Sequence, residues 1–212
     1  MEKSFSTLAE MAAYYQSELR SPLDREFALC RAVVASSALT DAEKAEALLM
    51  GGHQRRLRSY PAARDRAVGT LTKAALWKRT YADFEQLYAA VSEAIADVPH
   101  VGPLALYDTA KRIGHCCGCE PKRLVYLAAD GHKGAKRLLG LPRMGRIVEA
   151  ETFGRYFPGL SAIDLENVLC IMNLLFVPGG VDPKATEDFG DIYYRNAFSK
   201  GLTARLKELQ IL

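Results

Sequence analysis

The chain has 212 residues, of which 49% are hydrophobic and 25% charged, an ordinary composition for a globular protein with a sizeable core. Its apolar runs all fall short of the ~18–20 residues that a membrane-spanning helix needs, and its first residues lack the basic-then-apolar pattern of a secretion signal. Five cysteines, three of them crowded at positions 116, 117 and 119, lack the spacing of a disulfide framework. We therefore expect a cytoplasmic protein with no membrane partner.

The net charge of +3 conceals a segregated pattern. Counted by segment, the balance is −3 over residues 1–50, +7 over 51–80, −5 over 81–110, +7 over 111–146 and −3 over 147–212. Two strongly basic blocks therefore flank an acidic one. Such blocks are either solvated surfaces or the footprint of a polyanion. Nucleic acid fits better than a membrane surface, because no predicted helix pairs a basic face with an aromatic apolar face.

Helical periodicity dominates the sequence, and helix start and stop signals divide it. A capping box that opens at Thr40 begins one helix, which a Gly-Gly pair at 51–52 ends. The basic segment 53–66 is predicted to be broken at Pro61. The predicted helices cover, in chain order, residues 24–37, 41–50, 65–78, 80–96, 103–114, 131–140, 161–176 and 186–209, the last with a break near Gly201 as an alternative. Only residues 124–127 alternate like a strand, too few to build a sheet, so we expect an all-α fold.

The most informative stretch runs from Val98 to Gly114, where two predicted helices are joined by a short turn. The first helix carries no basic residue and ends at Pro99. The second opens with Gly102 followed by Pro103, a favourable start because proline has no N–H to leave unpaired at the first helical position. The first amides of this helix lack internal partners and lie at the positive end of the helix dipole. The turn therefore predicts a seat for an anion, with a phosphodiester as the leading candidate.

This turn resembles the helix-hairpin-helix motif of DNA-repair proteins, whose pattern is hydrophobic-Pro-Gly-hydrophobic-Gly, with His100 standing where the first glycine is expected. Three further stretches resemble the helix-hairpin-helix DNA glycosylase superfamily, the group that contains the bacterial endonuclease three and the 3-methyladenine glycosylases. Residues 27–41 are similar to its early apolar helix, 125–130 to the stretch that carries its catalytic aspartate, and 165–176 to a late packing helix. The resemblance spans roughly residues 24–176.

The resemblance implies one domain over residues 1–212, built from two interleaved helical subdomains, with the hairpin (about 90–114) at their cleft and the candidate catalytic turn and basic helix at 124–140. It implies that Asp130 is the carboxylate that stabilises an oxocarbenium-like transition state once the nucleotide has been turned out of the duplex. The alternative is that Asp130 is an ordinary helix N-cap. Strand-cutting relatives carry a lysine two residues past the second hairpin glycine. Leu104 holds that position here, so the implied enzyme is monofunctional.

The implied activity is excision of a damaged or modified base from double-stranded DNA to leave an abasic site, in base-excision repair or in defence against phage DNA with modified bases. The implied protein is a monomer associated with the nucleoid. It has no cofactor, because the four cluster-binding cysteines of the endonuclease three branch are absent after Cys170. The family's wedge glutamine is replaced here by Ala38 or a neighbour, so the residue that would fill the gap in the duplex is not identified. The alternative functions are a non-catalytic DNA-binding module, since such a hairpin alone never proves an enzyme, and a helical protein-interaction adaptor.

Candidate DNA contacts combine the hairpin with basic residues, since phosphate binding demands charge without sequence readout. They are His100, Val101, Gly102, Leu104, Arg55, Arg56, Arg58, Arg112, Lys133, Lys136 and Arg137. The candidate base-pocket residues are Ser36, Ser37 and Trp77, with the Tyr193-Tyr194 pair as a further aromatic surface. A solvated surface or core packing is the alternative interpretation for each of these residues. The cysteines at 116, 117 and 119 lack a second ligand pair at zinc-binding spacing, so no metal is expected.

Overall fold

The computed structural model describes residues 2–51, 55–189 and 198–212 and, for Arg55 and Arg56, the backbone only. Of the described residues, 61% are helical and 7% lie in strands, which confirms the prediction of a mostly helical fold. The chain divides into two compact units, each made of two chain segments. Unit one comprises residues 1–21 and 121–192, and unit two comprises residues 22–120 and 193–212. Within the described ranges, none of the helices combines the length and the hydropathy needed to span a bilayer.

The elements of the described residues follow in chain order. They are β1 (Glu2–Lys3), α1 (Leu8–Tyr14), a π-helical turn (Tyr15–Leu19), α2 (Arg20–Ala35), α3 (Asp41–Leu49), α4 (Arg55–Arg58), α5 (Pro61–Ala74), a 3₁₀ turn (Leu76–Lys78), α6 (Phe84–Ile95), α7 (Pro103–Cys117), β2 (Leu124–Tyr126), α8 (Ala129–Leu139), β3 (Ile147–Glu149), α9 (Glu151–Gly154), α10 (Ala162–Ile171), a second 3₁₀ turn (Asn173–Leu175), β4 (Phe176–Val177), β5 (Gly180–Val181), β6 (Glu187–Asp188) and α11 (Lys200–Glu208). The strands pair antiparallel, β1 with β6, β2 with β3 and β4 with β5.

Local capping signals account for several boundaries. Thr40 and Ser161 begin α3 and α10 with capping boxes, in which each hydroxyl accepts the amide three residues on. The basic segment is broken just before Pro61, as predicted, because α4 ends at Arg58 and Pro61 is the first residue of α5; the helix predicted over 65–78 therefore begins four residues earlier and ends at Ala74. Proline is favoured at the first helical position because its missing N–H would have no partner in the helix. Gly140 ends α8 in the left-handed conformation (φ 66°), as a glycine can without a steric penalty.

The predicted C-terminal helices are too long. Residues 187–188 form β6 and pair with β1, so the helix predicted over 186–209 is wrong at its start, and α11 begins only after the N-cap Ser199. Residues 190–197, which include the Tyr193-Tyr194 pair, lie outside the described residues. The helix predicted over 161–176 ends at Ile171. The strand predicted at 124–127 is present as β2, and it does form a small sheet by pairing with β3.

Unit one is centred on α10, of which residues 162–169 are all buried. This helix packs against α8 and β2. The hydroxyl of Tyr15 donates to Asp164 at 2.9 Å, and Asn167 donates to that hydroxyl at 3.3 Å. The π-helical turn therefore places Tyr15 in a buried polar network that joins the N-terminal segment of unit one to its late helix.

Unit two is centred on α7, which packs against α3, α6 and the 3₁₀ turn at Leu76–Lys78. Residues 105–114 of this helix are all buried, although they include three charged side chains. The first residues of α7 are different, because Pro103 and Leu104 are exposed. The helix thus runs from the surface, where it follows the hairpin, into the interior of unit two.

Candidate nucleic-acid interface

The hairpin of unit two is a tight turn between α6 and α7. The Val98 amide donates to the Ile95 carbonyl at 3.1 Å, and the Val101 amide donates to the Val98 carbonyl at 3.1 Å. The next helical hydrogen bond, from the Leu106 amide to the Gly102 carbonyl, is also 3.1 Å long and opens α7. The second helix begins at Pro103 as predicted, whereas the first helix, predicted over 80–96, covers 84–95.

His100 has the backbone conformation of a glycine. Its φ of 69° lies in the left-handed region, which costs a residue with a Cβ about 1–2 kcal/mol. The imidazole stacks on Tyr60, with the ring centroids 3.6 Å apart and the ring planes at 8°. The stack on Tyr60 is the contact that holds the imidazole beside the turn. The histidine found where a hairpin glycine is expected therefore preserves the turn, with Tyr60 as its partner.

The start of α7 presents unpaired backbone donors. Gly102 is the N-cap and has no side chain to accept a hydrogen bond, so the amides of Leu104 and Ala105 lie in the first turn without a capping acceptor. A methyl group built on Gly102 would have no other atom within 4 Å, so the space in front of the turn is open. Val101 and Gly102 are half-buried, and the side chain of Leu104 is 37% exposed. An anion can therefore approach these amides from solvent.

The basic residues of unit two differ in what they offer to a phosphate. Arg58 is exposed at the end of α4. Arg55 and Arg56 lie in the same helix, and their side chains are outside the described part of the chain. Arg58 therefore stays a candidate phosphate contact on grounds of exposure.

Arg112 is not available to DNA in this structure, which corrects its assignment as a phosphate contact. The side chain is 1% exposed, and its Nε donates to Glu26 at 2.6 Å while a terminal nitrogen donates to the Leu48 carbonyl at 3.2 Å. Burial alone would lower the pKa of Arg112, but the charges of Glu26 and Asp108 outweigh it and raise that pKa. Arg112 is a charged core residue of unit two whose guanidinium pairs with the half-buried Glu26 and the buried Asp108.

Asp130 lies in unit one, in the first turn of α8. Its carboxylate is 55% exposed and pairs with Lys133 at 2.8 Å. The N-cap of α8 is Ala128, so Asp130 does not cap the helix, and both the predicted start of the helix at 131 and the alternative N-cap role are corrected. A carboxylate at this position is stabilised by the positive end of the helix dipole.

The other basic side chains of α8 are partly committed within unit one. Arg137 donates to the Asn173 carbonyl at 2.7 Å, and Lys133 is held by Asp130. Lys136 is half-buried. Lys133 and Arg137 are exposed, so they can contact a polyanion while keeping these partners.

The candidate base-pocket residues all belong to unit two and have different environments. Ser36 is half-buried and Ser37 is exposed, just after the end of α2. Trp77 is 6% exposed in the 3₁₀ turn that packs on α7, and its Nε1 is buried without a hydrogen-bond partner among the described residues. Trp77 is thus a core residue with no ring face open to a base, which corrects its assignment to a base pocket.

The cysteine-rich end of α7 has the properties of a packed helix terminus. Burial and the neighbouring Cys117 raise the pKa of Cys116 to about 12, so its thiol is protonated near neutral pH. His115 stacks on Phe27 at 4.1 Å and pairs with Glu120. Among the described side chains, no group of three or more histidine, cysteine, aspartate or glutamate residues is arranged to hold a metal ion.

Sequence reasoning missed Tyr60. An aromatic residue directly before a proline that opens a helix was its one local signal. Its contact with His100, forty positions away, comes from the packing of unit two and not from any motif. No protein-family model, curated protein or solved structure matches the chain.

Proposed function

We propose that this protein is a monofunctional DNA glycosylase. In this proposal the hairpin of residues 98–104 seats the phosphate backbone of double-stranded DNA, and Asp130 is the catalytic carboxylate. The observation that carries the proposal is the hairpin, where the left-handed His100 leads to an uncapped and open start of α7. Unpaired amides at the positive end of a fifteen-residue helix suit a phosphodiester, and they read no base sequence.

The chemistry assigned to Asp130 is that of a carboxylate beside the sugar of an extruded nucleotide. The bond between base and C1′ breaks, the base leaves with the bonding electrons, and the positive charge that develops on the sugar is stabilised by the carboxylate. Water then adds to C1′ as Asp130 positions it or accepts its proton, and the base is protonated. The exposed pair with Lys133 is worth about 0–1 kcal/mol, so the carboxylate can leave it at little cost.

The absence of an amine at the hairpin supports a reaction that stops at base removal. Leu104 occupies the position two residues after Gly102. Lys111 lies further along α7, is buried, and pairs with Asp108 at 3.3 Å. Neither residue offers the free amine that a Schiff base with the sugar requires, so we propose an intact strand with an abasic site as the product.

Release of bases from defined duplexes tests the proposal. The substrates are oligonucleotide duplexes with alkylated, deaminated, oxidised, hydroxymethylated or glucosylated bases, and heating in alkali reveals abasic sites. The variants are Asp130→Asn and, as a matched control, Asp41→Asn. Asp41 is also in the first turn of a helix and also pairs with a lysine, Lys78, at 2.6 Å.

Base release by the wild type and Asp41→Asn but not by Asp130→Asn is the expected result. Release by all three proteins would support the glycosylase activity and show that Asp130 is not its catalytic carboxylate. If none of the three proteins releases a base from any of the substrates, the proposed glycosylase activity is refuted.

The second candidate is a non-catalytic module that docks on DNA through the hairpin. The observation that favours it is the environment of Asp130, which is half-exposed and paired with Lys133 as an ordinary surface residue would be. In the same experiments this module would bind duplex DNA, with an affinity that falls steeply as salt rises, without releasing a base.

A further inference from the structure

A groove beside the hairpin is not used by the proposed function. It has a volume of about 420 Å³ and belongs wholly to unit two. Its walls come from the start of α5 and from the hairpin, and they include Tyr60, Pro61, Ala62, Arg66, Pro99 and His100. Small-molecule sites span about 300–1,000 Å³, so the groove is large enough for one nucleobase with its sugar.

The groove contains an aromatic platform. Tyr60 and His100 are nearly parallel, and the tyrosine remains 42% exposed although its ring is covered by the imidazole. Beside this platform the wall has small or apolar residues, among them Pro61, Ala62 and Pro99, and the charged Arg66. A flat aromatic surface bordered by small side chains can stack on the face of a base and makes few contacts with the base's hydrogen-bonding edge.

The charge around the groove favours a polyanion. Residues 51–80, which supply most of the wall, carry a balance of +7. Arg66 is 55% exposed and pairs with Asp97, itself 70% exposed, at 2.7 Å. A surface pair of this kind is worth about 0–1 kcal/mol, so the guanidinium can exchange Asp97 for a phosphate. The acidic Asp65 nearby is paired with Arg64 at 2.8 Å.

We infer that the groove holds an unpaired nucleobase of the strand whose phosphate is seated on the hairpin. His100 belongs both to the hairpin and to the platform, so a base in the groove and a phosphate on α7 belong to neighbouring positions of one strand. The inference rests on the proposed DNA binding and names its substrate class. The preferred nucleic acid is a duplex with a short single-stranded flank, bound with little sequence preference.

The test compares three oligonucleotides by fluorescence anisotropy. One is a blunt duplex, the second is the same duplex with a three-nucleotide single-stranded flank, and the third has a flank of three abasic residues. The abasic flank keeps the phosphates and loses the bases, so the ratio of the two flanked affinities isolates base stacking. Stacking of one base on an aromatic side chain is worth about 1–3 kcal/mol, which corresponds to roughly a 5- to 150-fold preference for the flank with bases.

Two variants place this preference in the groove. Tyr60→Ala removes the platform, and because the Tyr60 side chain does not cap α5, we expect the helix to form as before. Ala62→Leu fills the groove from an exposed position of α5 and leaves Tyr60 in place. Both should reduce the ratio towards one. Tyr156→Ala is the control, since this partly exposed tyrosine packs with Arg155 but lies in unit one, away from the groove.

The outcomes separate the inference from the function on which it rests. If the wild type binds the blunt duplex tightly and binds the two flanked duplexes with nearly equal affinity, the groove does not hold a base, while the proposed phosphate binding at the hairpin is unaffected. A preference that survives in both Tyr60→Ala and Ala62→Leu would likewise contradict base binding in the groove. Failure of the wild type to bind any of the three oligonucleotides would overturn the proposed DNA binding and the groove together.

Discussion

Gly134 is the position at which one methyl group should most disturb unit one. It lies on α8 where this helix packs against α10. A Cβ built on Gly134 would be 2.0 Å from the carbonyl oxygen of Leu169 and 3.0 Å from its carbonyl carbon. Ordinary contact begins at 3.4 Å, so the two helices would have to separate by about 1.4 Å. The obstacle is backbone and cannot rotate away.

The expected cost follows from two opposing terms. Overpacking of a tight interface costs about 1–3 kcal/mol, and the rigid carbonyl places this site at the upper end. Alanine recovers part of this, up to about 1 kcal/mol, because it is the better helix former. We therefore expect Gly134→Ala to lower the free energy of unfolding by about 2 kcal/mol. For a chain of this length that corresponds to a fall in Tm of roughly 4–8 °C.

Gly69→Ala is the matched control. Gly69 is also within a helix, α5, but a Cβ there would meet nothing within 4 Å. This substitution should stabilise the protein by up to about 1 kcal/mol, since nothing opposes the gain in helix propensity. Urea and thermal denaturation followed by circular dichroism measure both variants. If Gly134→Ala proves as stable as Gly69→Ala, the close approach of α8 and α10 is not present in solution.

Three further predictions concern the interior of unit two. Arg112→Met should destabilise the protein by about 3–5 kcal/mol in urea, because it leaves the carboxylate of Glu26 without the guanidinium that pairs with it, and a loss below 1 kcal/mol would contradict this. Burial alone would raise the pKa of Glu26, but the charge of Arg112 outweighs burial and holds that pKa below its usual 4.5. The ionised Glu26 therefore contributes stability above pH 4.5, and this stability should be lost as the pH falls through the lowered pKa. Glu26→Gln should flatten that acid limb in a series of denaturation curves. Cys116, with a pKa raised to about 12, should be alkylated slowly at pH 8 in the native protein and rapidly in urea, as peptide mass spectrometry would show.

The helices that the sequence predicted well are those whose signals are local. The capping boxes at Thr40 and Ser161 and the Gly-Pro start of α7 each fix a boundary through residues within one turn. The break before Pro61 was predicted, but the start of α5 was placed at 65 because proline either interrupts a helix or opens one, and the neighbouring residues do not decide between the two. β6 was missed because its partner, β1, lies about 185 residues earlier in the chain.

The candidate site could be predicted only where the local backbone conformation forms it. The turn at 98–102 follows from its own residues, whereas the Tyr60–His100 stack depends on how α5 packs in unit two. Arg112 was wrongly assigned as a DNA contact because its burial also depends on a distant partner. An arginine near a predicted phosphate seat suggests a DNA contact, but Glu26, 86 residues away, supplies the charge that allows it to be buried. Pairing across such distances carries no signal in a single sequence.

Two kinds of phosphate contact are proposed for this protein, and salt separates them. The backbone amides of Leu104 and Ala105 neutralise no phosphate charge, while a lysine such as Lys136 displaces counterions from DNA. Gly102→Ala keeps every backbone amide but places a methyl group in the open space in front of the first turn, where the phosphate is proposed to bind. Because hydrogen bonds to charged groups are worth about 1.5–3 kcal/mol, displacing the phosphate from these amides should weaken binding at least roughly tenfold at every salt concentration, without changing the slope of log K against log salt. Lys136→Ala should reduce that slope by about one. A change of slope in Gly102→Ala would mean that the hairpin does not bind phosphate through its backbone. Since the new methyl group meets no atom within 4 Å, an affinity lost through misfolding would show as a lowered Tm.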